Sequence, residues 1–413
     1  MGLSFDDKLI NYANLGLSYG LGFDQKVRPL YVESYQTEDL GHFIPILARV
    51  AYALGVETID VCYRYPELDR AMFDAAPEEL KTYVPAWIGT RAQEIVNRDG
   101  GRLALNGNGE LGVMDNVAPN LPSALHSALF KANEPLTTRR MKMLQPWSIL
   151  DVPTIAWAKK LGMSTHDLWE FLFTITGADR SDSIGYAIDV SDTLHRRCSL
   201  LNDLQIQTLH FVGGRADLKV GLSPRARWLG GRKQAEDGTW FGPNWPSFEI
   251  FTTPDWSMTE GYVGITMPSV LDGPIVDGLE MSFSKGRIVD FMAVQGTDAF
   301  RALIGHDIGA AQLGEIALVG LDAPLSSYED PHFCTLLDEN KRCHAAVGVA
   351  YAAALEGGHR ASDEELAALG CNKSDVHHDM MISDETTSVF ALDAGGRRLA
   401  QLMQDGRWIE PFA

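Results

Sequence analysis

Residues 339–379 hold side chains whose types can bind a divalent cation. The run ENKRCHAAVGVAY places Glu339, His344 and Tyr351 on what reads as one helix. His344 and Tyr351 stand seven residues apart, two helical turns, so both side chains point the same way. His377 and Asp379 stand two apart in a predicted strand, which puts both on one face and turns His378 to the other. An imidazole and a carboxylate on one strand face, near a helix offering a second imidazole, supply the mixed N/O donors of a metal site.

Three further carboxylates extend the set. Glu249 lies in the predicted strand FEIFTT, where it shares a face with Phe251 and Thr253. Glu315 opens the apolar run EIALVG, and Glu339 precedes His344. Taken singly, each residue has an ordinary explanation. Glu249 is then an edge-strand acid in water, Glu315 a solvated strand end, Glu339 a helix-start acid favoured by the macrodipole, and His344 a hydrogen-bonded buried histidine. Tyr351 either packs or offers a phenol to a developing oxyanion. Together the residues fit two cations bridged by a carboxylate, with Zn, Co or Mn favoured over Mg or Ca by the nitrogen donors. No HExxH and no G-x-S-x-G is present, which removes support for a single-zinc peptidase of that type and for a serine hydrolase. The other eight histidines read as structural.

The elements that must position these groups follow from hydrophobic pattern. Residues 27–34, 39–55 and 56–64 read as strand, helix and strand with short joins, a βαβ unit that implies a parallel sheet. Residues 5–23 and the stretch from 67 to 100 read as largely helical, and 102–107 as a further strand. Gly107, Gly109 and Gly112 match a dinucleotide fingerprint by letters, but VMDNVAPNLP follows where a helix would have to start, so a loop is expected. After further helices, strand-like pieces between 204 and 294 are punctuated by Gly and Pro, with a hairpin at Lys285-Gly286. Residues 296–314 read as helix, and the C-terminus as paired strands with turns at DAGG and QDG. The expected fold class is α/β: an N-terminal α/β domain with a parallel sheet over 1–120, to which 296–320 is a candidate completion, and a mixed, β-rich catalytic domain over 121–413.

Composition bounds the partners. Lys+Arg 35 against Asp+Glu 55 leaves a net charge of −20, which disfavours nucleic acid and anionic membranes. The first residues are acidic where a signal peptide needs basic ones, no apolar run approaches a membrane span, and Asp6 stands where a myristoylation motif needs Ser or Thr. Five scattered cysteines without a CxxC read as reduced thiols, and Cys343 as packing rather than a ligand. A cytoplasmic location is expected.

PNWPSFEIFTTPD, LGEIALV, LDENKRCHAAVGVAY and NKSDVHHDMMI, in that order, resemble peptidase family M29, the aminopeptidase T, S and PepS type. Glu249, Glu315, His344 and His377 follow one another at intervals of 66, 29 and 33 residues, as in that family. YANLGLSYGL, WSILDVPTIAWA and GGRADLKVGL extend the likeness to nearly the whole chain. The resemblance implies two co-catalytic divalent metal ions held by Glu249, Glu315, His344, His377 and Asp379, with Tyr351 assisting and Glu339 as a further ligand or base. It implies a peptide substrate cut at its N-terminal residue by a metal-activated water, and a homodimer around an enclosed cavity. Arg215-Ala216-Asp217, where members read Gly-Thr-Asp, and His378, where an apolar residue is common, depart from the pattern without removing a ligand. Two other functions stay open at this point. One is a ring-cleaving dioxygenase with a single Fe(II) on the same scaffold, and the other is a non-catalytic relative.

Overall fold

The computed structural model describes residues 2–35, 40–107, 113–114, 116–118, 120–271, 274–328 and 330–413. The chain forms two compact units, one from residues 1–189 and 232–246, the other from 190–231 and 247–413.

The first unit is built on a four-stranded parallel sheet of strands β1 (Leu30–Tyr35), β2 (Ile59–Arg64), β3 (Gly101–Asn106) and β4 (Trp147–Asp151), in the order β2-β1-β3-β4. Helices α1 (Phe5–Asn14), α2 (Leu40–Ala53), α3 (Pro66–Ala75), α4 (Ala86–Asn97), α5 (Asn120–Ala132) and α6 (Glu134–Met141) belong to the same unit. Helix α1 starts in a capping box: Ser4 Oγ accepts the Asp7 N–H, and the Asp7 carboxylate accepts the Ser4 N–H. The predicted βαβ unit is β1-α2-β2, with β1 and β2 in parallel register. Parallel strands need both faces covered: Val32, Leu103, Leu105 and Leu150 are buried on one face, and Tyr31 and Ala104 on the other. Of the fingerprint glycines, Gly109 and Gly112 lie outside the described residues.

The second unit holds two large antiparallel sheets and a two-stranded one of Ser269–Val270 with Ile275–Val276. Eight strands lie in the order Arg287–Met292, Glu280–Ser284, Pro254–Gly264, Ala216–Leu222, Thr208–Gly213, Ser388–Leu392, Arg398–Gln404 and Arg407–Trp408. The predicted hairpin closes at Lys285 and Gly286, both at positive φ (49° and 79°), as a two-residue primed turn demands. The other large sheet has five strands in the order His377–Met381, His344–Gly348, Leu313–Leu318, Ile250–Thr252 and Leu229–Gly230.

Three expectations are corrected here. The helix proposed to carry Glu339, His344 and Tyr351 does not exist as one element. A short helix, Thr335–Glu339, ends before Asn340, and His344 opens a strand. That strand is buried at all five positions, so neither a helical nor an alternating polar pattern marks it. Gly348 then turns the chain at φ 103°, where a Cβ would lie 2.0 Å from the Val376 carbonyl. The boundary expected at 120/121 falls elsewhere, because β4 pairs with β3 and keeps residues up to 189 with the first unit. The strand Leu313–Leu318 completes the second unit's sheet, not the first's, and the helix expected over 296–314 is confined to Thr297–Ile304 plus one turn at Gly309–Ala311.

Candidate metal centre

Register across the five-stranded sheet collects the candidate ligands. Glu315 pairs with Ala346, and Ala346 with Asp379, so these three form one row across three strands. One row along, Phe251 pairs with Ala317, Ala317 with His344, and His344 with Met381. Alternation then sets Glu249, Phe251, Glu315, His344, His377 and Asp379 on a single face. The opposite face carries Ile250, Ile316, Leu318, Ala345, Val347 and Met380, all within the hydrophobic core. Between the acids and imidazoles stand Ala317 and Ala346, whose methyl groups leave the space above the sheet open.

The donor atoms fall into two groups whose members lie within 4.8 Å of one another: Glu249, Glu315 and His344, and Glu315, His377 and Asp379. Glu315 belongs to both. His344 Nε2 is 3.2 Å from Glu249 Oε2, and His377 Nε2 is 3.2 Å from Glu315 Oε2 and 3.6 Å from Asp379 Oδ1. Both imidazoles are oriented by backbone carbonyls, which can only accept. His377 Nδ1 donates to Val349 O at 2.8 Å, and His344 Nδ1 to Arg342 O at 3.3 Å. That fixes Nδ1 as the protonated nitrogen and aims Nε2 at the carboxylates, the usual arrangement behind a metal-binding histidine.

Two buried carboxylate oxygens here, Glu249 Oε2 and Asp379 Oδ1, make no hydrogen bond of normal geometry; an imidazole nitrogen lies 3.2 Å from the first and 3.6 Å from the second. A buried carboxylate oxygen without a donor is costly unless a cation satisfies it. The residues present therefore fit divalent metal ions.

The electrostatics point the same way. Burial, reinforced by the Asp379 and Glu249 charges, pushes the Glu315 carboxyl up to about 7. Burial and the charges of Glu249, Asp379 and Glu315 push Glu339 well above the carboxylate range. Burial opposes charge on the imidazoles, yet the Glu249 carboxylate raises His344 to about 10, and Asp379 and Glu315 raise His377 to about 11. Asp379 is held below its ordinary value against its burial by hydrogen bonding to His377 and by the charge of His344.

The remaining predicted residues are placed at different distances from this centre. Tyr351 Oη is 3.4 Å from His377 Nε2, and its ring packs edge-on against Phe251 and His377. Glu339 belongs to neither ligand group but lies within the electrostatic reach of Glu249, Asp379 and Glu315. His378 faces away, as alternation requires, and its Nε2 is 2.6 Å from Ser269 Oγ. Cys343 is buried packing, with its Sγ 3.6 Å from Met403 Sδ.

Asn340 is a positioning residue that sequence pattern does not reveal. Its buried Oδ1 accepts the Phe248 N–H at 2.5 Å, and its Nδ2 donates to Leu336 O at 2.8 Å. It thereby ties the backbone next to Glu249 to the helix that carries Glu339. The Asn340→Leu variant removes the buried acceptor of the Phe248 N–H. It should lose about 1–3 kcal/mol of stability by denaturant unfolding, together with metal affinity.

A family model described as "Thermophilic metalloprotease (M29)" matches residues 5–408. Aminopeptidase T of Thermus thermophilus is 32% identical over 412 residues, covering 98% of this chain and 99% of its own. Aminopeptidase AmpS of Bacillus subtilis is 30% identical over 419 residues, at the same coverage of both chains. The solved structure titled "Wild-type AmpT from Thermus thermophilus" superposes with a TM-score of 0.88 at 31% identity, covering 98% of this chain and all of that one.

Proposed function

This chain belongs to the thermophilic metalloprotease (M29) family and is a metal-dependent aminopeptidase, and we propose that the one-faced cluster of its second unit is where the first residue of a peptide is removed. The observation that carries this reading is the sharing of Glu315 between two ligand groups. On it we assign two ions per chain, which Glu249, Glu315, His344, His377 and Asp379 would hold, Glu315 being the residue common to both groups. The nitrogen and oxygen donors suit Zn, Co or Mn. Ions bound there supply Lewis acidity toward the peptide carbonyl and a nucleophilic water at neutral pH.

The chain's own residues do the rest. Glu339 stands outside both ligand groups and holds its proton more tightly than an ordinary carboxylate. Positive charge bound beside it would favour its carboxylate form, which in this reading would take the proton that the attacking water loses and deliver it to the leaving nitrogen as the C–N bond breaks. The Tyr351 phenol is kept protonated, because burial and the neighbouring carboxylates raise its pKa. It can therefore donate to the oxyanion at any working pH. Phe251 packs edge-on against the Tyr351 ring and limits where that hydroxyl can go. The carboxylates also attract a free N-terminal ammonium, which restricts cutting to the first residue.

The same proposal includes a homodimer and a reducing, cytoplasmic setting. None of the five cysteines is in a disulfide, and among the described residues no helix is long and apolar enough to cross a membrane.

Chelation should abolish hydrolysis of aminoacyl anilides, and elemental analysis of the reloaded protein should read two equivalents per chain. Full activity without metal, or a single equivalent at full activity, overturns the assignment. Tyr351→Phe should lower kcat by about 10²-fold, the cost of one oxyanion donor, with metal content and KM unchanged. A variant with unaltered kcat removes the phenol from the mechanism.

A further inference from the structure

The first unit contains a second charged cavity, unrelated to the metal centre. Its volume is about 190 Å³, and three guanidinium groups line it: Arg64 at the end of β2, Arg102 on β3 and Arg140 on α6. The one carboxylate among its lining residues is Glu33 on β1. We propose that this cavity binds a small oxyanion carrying two negative charges, of the phosphate or phosphomonoester class.

The charge balance inside the cavity is the first argument. Glu33 is already committed: one oxygen accepts from Tyr31 Oη at 3.0 Å and the other is bonded to Arg102. Arg102 has a side chain only 12% exposed, and its Nη1 is buried with no hydrogen-bond partner. Among the described residues, neither Arg64 nor Arg140 forms an ion pair or donates a hydrogen bond. Arg140 instead lies over the Trp147 ring, 5.7 Å from its centroid, which leaves the edge of its guanidinium fork uncommitted. The lining itself sets three cations against one anion, an excess of two, with Asp69 outside the lining near enough to Arg64 to feel its charge. The chain as a whole has 55 acids and only 35 bases, so such a concentration does not follow from composition. Like charges brought close repel, most where they are partly buried as Arg102 and Arg140 are, and the repulsion is relieved by a ligand of opposite sign. Burial, with Arg102 and Arg64 nearby, accordingly lowers the Arg140 pKa to about 10.

The second argument is shape. Asn133, Thr137 and Arg140 stand at i, i+4 and i+7 along α6 and its cap, so one helix face presents an amide, a hydroxyl and a guanidinium. Guanidinium forks match the paired oxygens of phosphate, and neutral donors complete its shell. The volume is below the roughly 300–1,000 Å³ typical of pockets for drug-sized ligands. It suits a small anion or a phosphate head and excludes a whole nucleotide.

Isothermal titration of the metal-loaded full chain with inorganic phosphate, at fixed ionic strength, should give saturable binding that chloride does not reproduce. Glycerol phosphate in a parallel arm separates the monoester from the free ion. Arg140→Gln and Arg64→Gln should each weaken binding about tenfold or more, equivalent to about 1.4 kcal/mol. Arg64 is exposed, so its replacement leaves folding intact. Glu315→Gln should bind phosphate as the parent does. Affinity unchanged in both arginine variants, or lost in Glu315→Gln alone, overturns the proposal and places the phosphate on the metals. Absence of any heat beyond chloride also overturns it. None of these outcomes bears on the peptidase reading.

Discussion

Glu315→Gln should lower kcat for aminoacyl anilides by about three orders of magnitude, because on the proposed two-ion assignment it removes the ligand common to both groups and with it the several kcal/mol that Lewis-acid activation contributes. The reason lies in topology. Glu315 is the residue common to both ligand groups, in the row shared with Ala346 and Asp379. A glutamine keeps the volume and one carbonyl oxygen but offers no second anionic oxygen, so two ions can no longer share it. Elemental analysis should read fewer than two equivalents per chain. The fold should survive. In chelator the variant should be as stable as the parent or more so, since it removes one of several buried carboxylates that repel one another. Two bound ions and parental kcat in this variant would eliminate Glu315 as a bridge.

The second large effect is a linkage between metal, protons and stability. In the metal-free protein Glu315 is raised from 4.5 to about 7, so its destabilising effect grows as pH rises through that interval. His344 and His377, raised from 6.5 to about 10 and about 11, contribute stability that is complete below 6.5 and lost as pH rises through their folded values. All three make the folded state hold more protons than the unfolded one, so all three slopes fall with pH. Asp379, with a lowered value, acts oppositely but only in acid. Bound ions displace these protons and remove the slope. The stability gap between metal-loaded and chelated protein, read from melting curves, should therefore widen steadily from pH 6 to pH 9, by up to about 1.4 kcal/mol per pH unit per titrating group. Metal uptake at pH 7 should release about two protons, readable by calorimetry in buffers of different ionisation enthalpy. A gap independent of pH, with no proton release, would show that the ions bind elsewhere.

How far this was legible beforehand depends on the contrast between neighbouring side chains. His377 and Asp379 were placed on one strand face correctly, with His378 on the other, because polar residues run into an apolar strand there and the period of two is visible. The parallel βαβ unit at the N-terminus was legible for the same reason. His344 was assigned to a helix because CHAAVGVA is apolar throughout. A strand buried on both faces shows no alternation, and alanine biased the reading toward helix. The unit boundary was missed because residues 190–231 and 232–246 belong to different units, a division set by contacts between distant residues.

Residue types and their order determined the chemistry by themselves. Three isolated carboxylates, two imidazoles, an aspartate and a tyrosine are a donor set whatever fold carries them, and their order matched the family's. Only the tertiary structure decided that Glu315 is shared, that Asn340 fastens the Glu249 segment, and that Arg64, Arg102 and Arg140 converge. The physical reason is that side-chain identity is a local property. Register between strands and the meeting of strand with helix depend on contacts tens to hundreds of residues apart, which no pattern along the chain records.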